Sequence, residues 1–231
     1  MKEAFLDQFL VNKKIKRIKM SNKVFWKNPY QTELHTRIKS IDDNKVELEE
    51  TIFYAESGGQ ESDKGTINGF EVIKAEKSGK SIFYTLKSVS NFVIGQDVLV
   101  KIDWTRRYKL MKLHFAAEVV LELFYKRFTN LEKIGAHISE NKSRIDFELS
   151  ESISSLLSEV QAEAQSLIDA DLFIESAYSD EKNERRYWKV EDFAQVACGG
   201  THLKKTSEVG QLILKRKNIG KGKERVEIYI N

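Results

Sequence analysis

Residues 106–128 read RRYKLMKLHFAAEVVLELFYKRF, a stretch with no Gly or Pro. Leu110, Leu113, Ala117, Leu121, Phe124 and Phe128 recur along it at helical spacing, so it predicts one long helix. Upstream, from Lys23 to about Lys101, the period changes. Arg37–Ile41, Lys45–Glu49 and Ser81–Leu86 alternate apolar and polar side chains with period two. Asp42-Asp43-Asn44, Asn68-Gly69 and Ser78-Gly79-Lys80 supply turns between such runs. Short strands joined by tight turns predict a small antiparallel barrel or sheet. Pro29 lies outside the runs, where its missing donor does no harm.

Downstream, a second helix is expected from about Ser150 to Ala170, capped by Ser150 or Ser152. Strand-like segments surround the helices at 144–147, 172–177, 211–214 and 226–230. The fold class is therefore α+β, with a boundary near residue 100. Residues 1–100 form the β part, with a short amphipathic N-terminal extension over 1–20 that ends in Lys13-Lys14-Ile15-Lys16-Arg17. Residues 101–231 form the α+β part.

Composition narrows the function classes. Of 231 residues 41 % are hydrophobic, enough for a core, and 32 % are charged with a net charge of only +3. That excludes a uniformly basic nucleic-acid coat but permits a local patch. Lys204, Lys205, Lys215, Arg216, Lys217, Lys221, Lys223 and Arg225 form such a cluster in sequence. It fits either a solvated face or a contact for RNA phosphates, the latter through Lys215, Arg216, Lys217 and Lys221. A single cysteine forms no intrachain disulfide. No apolar run approaches the roughly 20 residues of a membrane span, so no membrane partner and a cytoplasmic location are expected.

Three segments carry chemistry. His114 and Glu118 stand four apart on one face of the long helix. Alone, such a pair is more often a surface hydrogen bond than a metal site. Cys198-Gly199-Gly200-Thr201-His202 places a thiolate and an imidazole around a two-glycine turn that lets the backbone fold back tightly. Alone, it also fits a buried thiol beside an unrelated histidine. Taken together, His114, Cys198 and His202 supply three metal donors and Glu118 a fourth. Three donors plus water make a hydrolytic zinc centre, whereas four close it into a structural one. The third segment, Glu56–Gly65, carries Gly58, Gly59 and Gly65 and suits close approach of backbone to a ligand, or a plain turn between strands.

These segments resemble the freestanding alanyl-tRNA editing proteins, AlaX, and the matching editing domain of alanyl-tRNA synthetase. The resemblance rests on Gly58-Gly59-Gln60-Glu61-Ser62-Asp63-Lys64-Gly65, Trp104-Thr105-Arg106-Arg107, Arg144-Ile145-Asp146-Phe147, Cys198–His202 and the basic ending 215–225. It implies a translation-factor-like β-barrel before an α+β editing domain with a long metal-ligand helix, the site lying near their junction. It further implies one Zn2+ per chain on His114, Glu118, Cys198 and His202. A metal-bound water, with Glu118, would act on the ester of tRNA(Ala) mischarged with serine or glycine. Gly58, Gly59, Gln60, Ala117 and Thr201 would face the substrate, and the protein would be a monomer or homodimer.

One position departs from the family pattern. Where relatives read His-Thr/Ser-Ala-Thr-His, this chain has His114-Phe115-Ala116-Ala117-Glu118. A carboxylate replaces the second helical imidazole, and Ala117 replaces a threonine able to bond a serine hydroxyl. The departure leaves two other readings: a non-catalytic tRNA-binding relative, or a hydrolase of another aminoacyl-tRNA.

Overall fold

A computed structural model describes residues 21–220 and 222–231. The expected N-terminal amphipathic segment and Lys221 lie outside the described residues. A short strand β1 (Asn22–Lys23) and a one-turn helix α1 (Val24–Lys27) lead into seven further strands. These are β2 (Glu33–Asp42), β3 (Lys45–Leu48), β4 (Glu50–Thr51), β5 (Gly65–Ile67), β6 (Phe70–Ser78), β7 (Ser81–Leu86) and β8 (Asp97–Ile102).

Six of them close a barrel in the order β2-β3-β7-β6-β5-β8, with β8 returning to β2 and every pairing antiparallel. The turns read in the sequence are the ones used, with Asp43, Asn68, Gly69 and Gly79 at positive φ. Alternate residues such as Ile38, Val46, Ile67, Ile82, Tyr84 and Val100 fill the interior. Gly65 cannot carry a side chain, because a Cβ there would run into the backbone of Lys101 on β8.

Helix α2 (Trp104–Arg127) follows the barrel directly. Asp103 caps it by accepting from the Arg106 amide at 3.0 Å. Leu110, Met111, Leu113, Phe115, Ala116, Val119 and Val120 are all buried, so the middle of α2 is covered on several sides. Then come β9 (Glu132–Ile138), β10 (Ser143–Glu148), α3 (Leu157–Asp169), β11 (Glu175–Asp180), β12 (Arg185–Val190), β13 (Ala194–Ala197), β14 (Leu212–Asn218) and β15 (Lys223–Ile230). They build a four-stranded sheet ordered β14-β15-β10-β9 and a three-stranded sheet ordered β11-β12-β13. Both helices pack with them in one core that includes Phe124, Phe147, Val160, Trp188 and Val226.

The second helix is shorter than expected. Ser152 caps a separate 3-10 turn, Ile153–Ser155, before α3 begins. Strands β9, β12 and β13 gave no clear period-two signal. In β12 the inward positions are Arg186, Trp188 and Val190, so a buried guanidinium interrupts the apolar alternation. In β9 a bulge at Ile134 shifts the register.

Two motif residues fasten the barrel to α2. Arg107 and Asp63 are both fully buried, with side-chain exposure of 0 %. Arg107 donates to both oxygens of Asp63, 2.8 Å for Nε, and also to the carbonyls of Pro29 at 2.9 Å and Ile52 at 2.6 Å. Asp63 further accepts from the Tyr54 amide at 2.7 Å. The neighbouring Arg106 reaches Glu61 at 2.6 Å and also pairs with Glu140.

Candidate metal centre

His114 and Glu118 lie one turn apart on α2, where it passes the loop that follows β13. Cys198 and His202 come from that loop. One donor atom from each of the four lies within 4.8 Å of every other. The Cys198 Sγ stands 3.2 Å from His114 Nε2 and 3.2 Å from His202 Nε2. Glu118 Oε2 is 3.2 Å from His114 Nε2 and 3.7 Å from His202 Nε2. Tetrahedral ligand bonds of about 2.0–2.3 Å imply donor separations of roughly 3.3–3.6 Å, so these edges suit a single ion. Two further features fit one. Glu118 Oε2 is buried with no hydrogen-bond partner, and the second nitrogen of His202 is held by Ser176 Oγ at 3.2 Å.

The loop's two glycines differ. A Cβ on Gly200 would stand 2.9 Å from His114 Nε2 and 3.0 Å from Nδ1, whereas one on Gly199 would meet nothing within 4 Å. Gly200 therefore lets the imidazole lie flat against the backbone. Gly200→Ala should displace His114 and weaken metal affinity at least tenfold, while Gly199→Ala should leave it unchanged. Equal metal affinity in the two variants would contradict this role.

Without a metal, the four groups hold unequal protons. Burial would lower the His114 pKa, but Glu118 and Cys198 outweigh it and hold it well above the ordinary value. Burial would raise that of Glu118, but His114 pulls it down to about 2. Burial pushes the Cys198 thiol up, with the Glu118 charge adding to the effect. Burial takes His202 down to about 3.

The cluster sits against a cavity of about 280 Å3. Tyr54, Ser57 and Gly58 line it from the barrel side, and Ala117, Leu121, Ile138, Ile145 and Val196 supply apolar walls. Of the residues expected to face the substrate, Gly58 and Ala117 are there, while Gly59, Gln60 and Thr201 are not among the lining residues. Gly58 and Gly59, with φ of 62° and 86°, form a two-residue turn in which Ser57 and Gln60 exchange backbone hydrogen bonds of 3.2 and 3.1 Å. The turn docks on β9: the Ile138 amide donates to the Gly59 carbonyl at 2.8 Å and the Glu61 amide to the Ile138 carbonyl at 3.0 Å. Gln60 is buried and donates to Thr201 Oγ1 at 3.1 Å, so both brace the metal loop. The exposed Lys133 reaches the cavity because the β9 bulge places it opposite Phe147, a shift that the sequence pattern does not show.

Comparison with known proteins gives two family matches. Residues 6–106 match the class II (A) tRNA synthetases, and residues 187–227 match the second additional domain of threonyl and alanyl tRNA synthetases. The alanyl-tRNA editing protein AlaX-M of Pyrococcus horikoshii is 32 % identical over 92 % of this chain and 99 % of its own length. The chain belongs to the alanyl-tRNA editing protein family. A second AlaX-M, from Saccharolobus solfataricus, is 28 % identical over 90 % of the chain and 98 % of its own length. The alanine–tRNA ligase of Methanococcus maripaludis is 30 % identical over 88 % of the chain, which spans 25 % of that enzyme. Among the described residues, no helix of this family member is long and apolar enough to cross a membrane.

Proposed function

We propose that this chain is a trans-acting aminoacyl-tRNA deacylase that hydrolyses the ester of tRNA(Ala) mischarged with serine or glycine. The observation that carries the reading is the convergence of four donors on a small cavity in a chain of the alanyl-tRNA editing family. His114, Cys198 and His202 would hold one zinc ion with Glu118 as a displaceable fourth ligand, whose release would open the position from which the ion supplies Lewis acidity toward the ester carbonyl or water. With a division near residue 100, the barrel side contributes the Gly58 wall and the second part the donors. The cytoplasm, where charged tRNA is found, is its place of action.

The chain's own groups set what the cavity accepts. Ala117, Leu121, Ile138, Ile145 and Val196 give it apolar walls beside the donors. Ala117 offers no donor or acceptor to a serine hydroxyl. A site without a partner for a substrate hydroxyl gains no hydrogen-bond discrimination from that hydroxyl. Ser- and Gly-tRNA(Ala) should therefore differ less here than in a site built around a hydroxyl partner. The test is deacylation of Ser-, Gly- and Ala-tRNA(Ala) by metal-replete protein, with and without chelator. Chelator-sensitive hydrolysis of the first two supports the reading, and no hydrolysis above buffer overturns it.

A further inference from the structure

The four-stranded sheet has two unlike faces. Ile145, Phe147, Val226, Ile228, Leu212 and Leu214 point inward and are buried. Strand pairing aligns the outward residues in two rows, Lys215–Glu227–Arg144–His137 and Lys217–Arg225–Asp146–Gly135. Lys142 and Tyr229 extend the face at one end. The Lys142 and Lys215 ammonium groups stand over the Tyr229 ring, 5.8 and 5.0 Å from its centroid.

The signs of charge on this face are layered. Asp146 takes Arg225 at 2.6 and 2.9 Å and also pairs with Arg144. Glu227 takes Lys142 at 2.6 Å and the Tyr229 hydroxyl at 3.0 Å. The carboxylate side chains are only 9 % and 12 % exposed, against 31 % for Arg144, 21 % for Arg225 and 40 % for Lys142. Lys215 and Lys217 are exposed and make no ion pair among the described residues. The acids thus lie beneath and fix the cations, and what solvent meets is positive. Gly135 makes the arrangement possible, since a Cβ there would stand 3.2 Å from Asp146 Oδ2. Glu132 and Glu148, exposed beside Lys223, mark where the patch ends.

This layering also revises the reading of the basic ending. Arg216 points the other way, into a two-bond pair with Glu224 at 2.6 Å for each bond. Alternation along β14 and β15, rather than the run as a whole, decides which cations are presented.

We infer that the outer face of this sheet, centred on Lys142, Arg144, Lys215, Lys217, Arg225 and Tyr229, is the docking surface for the RNA backbone of the substrate. The inference deepens the proposed function and rests on it for the identity of the RNA. Phosphates complement five presented cations, and Tyr229 holds two of them, Lys142 and Lys215, over its ring. The same sheet walls the metal-site cavity with Ile138 and Ile145 on its opposite face. The docking face and the cavity thus lie on the two sides of one sheet.

The test uses the full chain and uncharged tRNA(Ala) transcript, with binding followed by fluorescence anisotropy across a KCl series. The variant Lys142→Ala/Lys215→Ala/Lys217→Ala spares the arginines anchored on Asp146. It should lose at least tenfold in affinity at low salt, and its slope of log affinity against log salt should fall by roughly two to three. Its metal content and Tm should match the parent. Lys77→Ala/Lys87→Ala, removing exposed charges on the barrel side, should change neither affinity nor slope. An unchanged slope in the triple variant, or an equal loss in the barrel control, overturns the inference. So does tighter binding to phosphatidylserine vesicles than to tRNA, which would reassign the face to a membrane. A parent protein that binds tRNA through this face yet hydrolyses no ester refutes the proposed activity alone. One that hydrolyses while the triple variant binds normally refutes the docking face alone.

Discussion

Arg107→Met is expected to destabilise the protein by about 3–5 kcal/mol, because it leaves a buried carboxylate without its cation. Asp63 would keep only the Tyr54 amide as donor, and the Pro29 and Ile52 carbonyls would lose theirs. For a chain of this size the fall in Tm should be on the order of 10 °C. The reciprocal change, Asp63→Leu, strands the guanidinium and should cost a similar amount. The double variant should cost clearly less than the sum, since neither partner then remains as an uncompensated charge. Urea unfolding of the four proteins measures this coupling. Additive losses, or a single-variant loss below about 1 kcal/mol, would show that the pair is not what fastens the barrel to α2.

The clamp also bears on the site. Arg107 sits two helical turns before His114, and Asp63 follows the Gly58-Gly59 turn by a few residues. One buried pair therefore fixes the relative placement of α2 and the turn that lines the cavity. Trp26 adds a second tie, its indole donating to the Gly199 carbonyl at 2.8 Å beside the cysteine.

Much of this was legible in the sequence. The period change after Asp103 located α2 within two residues, because a long stretch free of Gly and Pro has few alternatives to a helix. Barrel strands flanked by Asp, Asn and Gly turns were visible for the same kind of local reason. Gln60 and Thr201 were harder, since residue type shows that a polar group is available but not what it will bond. Their contact spans 141 positions. Arg186 and Lys133 were hidden because each puts a cation where a strand pattern expects an apolar residue. The four donors were named from two short motifs, but their mutual distances follow from where the β13 loop meets α2, and no local pattern contains that.

Metal binding at this cluster should release about two protons at neutral pH, and replacing Glu118 should change that number. Thiolate and neutral imidazole are the ligand forms, so Cys198 and His114 must each give up a proton. His202, held down to about 3, and Glu118, at about 2, have none to give at pH 7. The sign follows: affinity rises with pH, by up to about a hundredfold per unit while two protons are displaced, and falls in acid as His114 competes. Glu118→Gln removes the largest of the charges that hold His114 up against its burial, leaving Cys198, and so shifts His114 toward its neutral form before the metal arrives. Proton release should then fall below two, with a shallower pH slope, while Glu118→His keeps four donors and retains the metal. Calorimetry of zinc binding in buffers of different ionisation enthalpy counts the protons directly. If Glu118→Gln still releases two protons and binds zinc as tightly as the parent, Glu118 neither ligates the ion nor sets the protonation of His114.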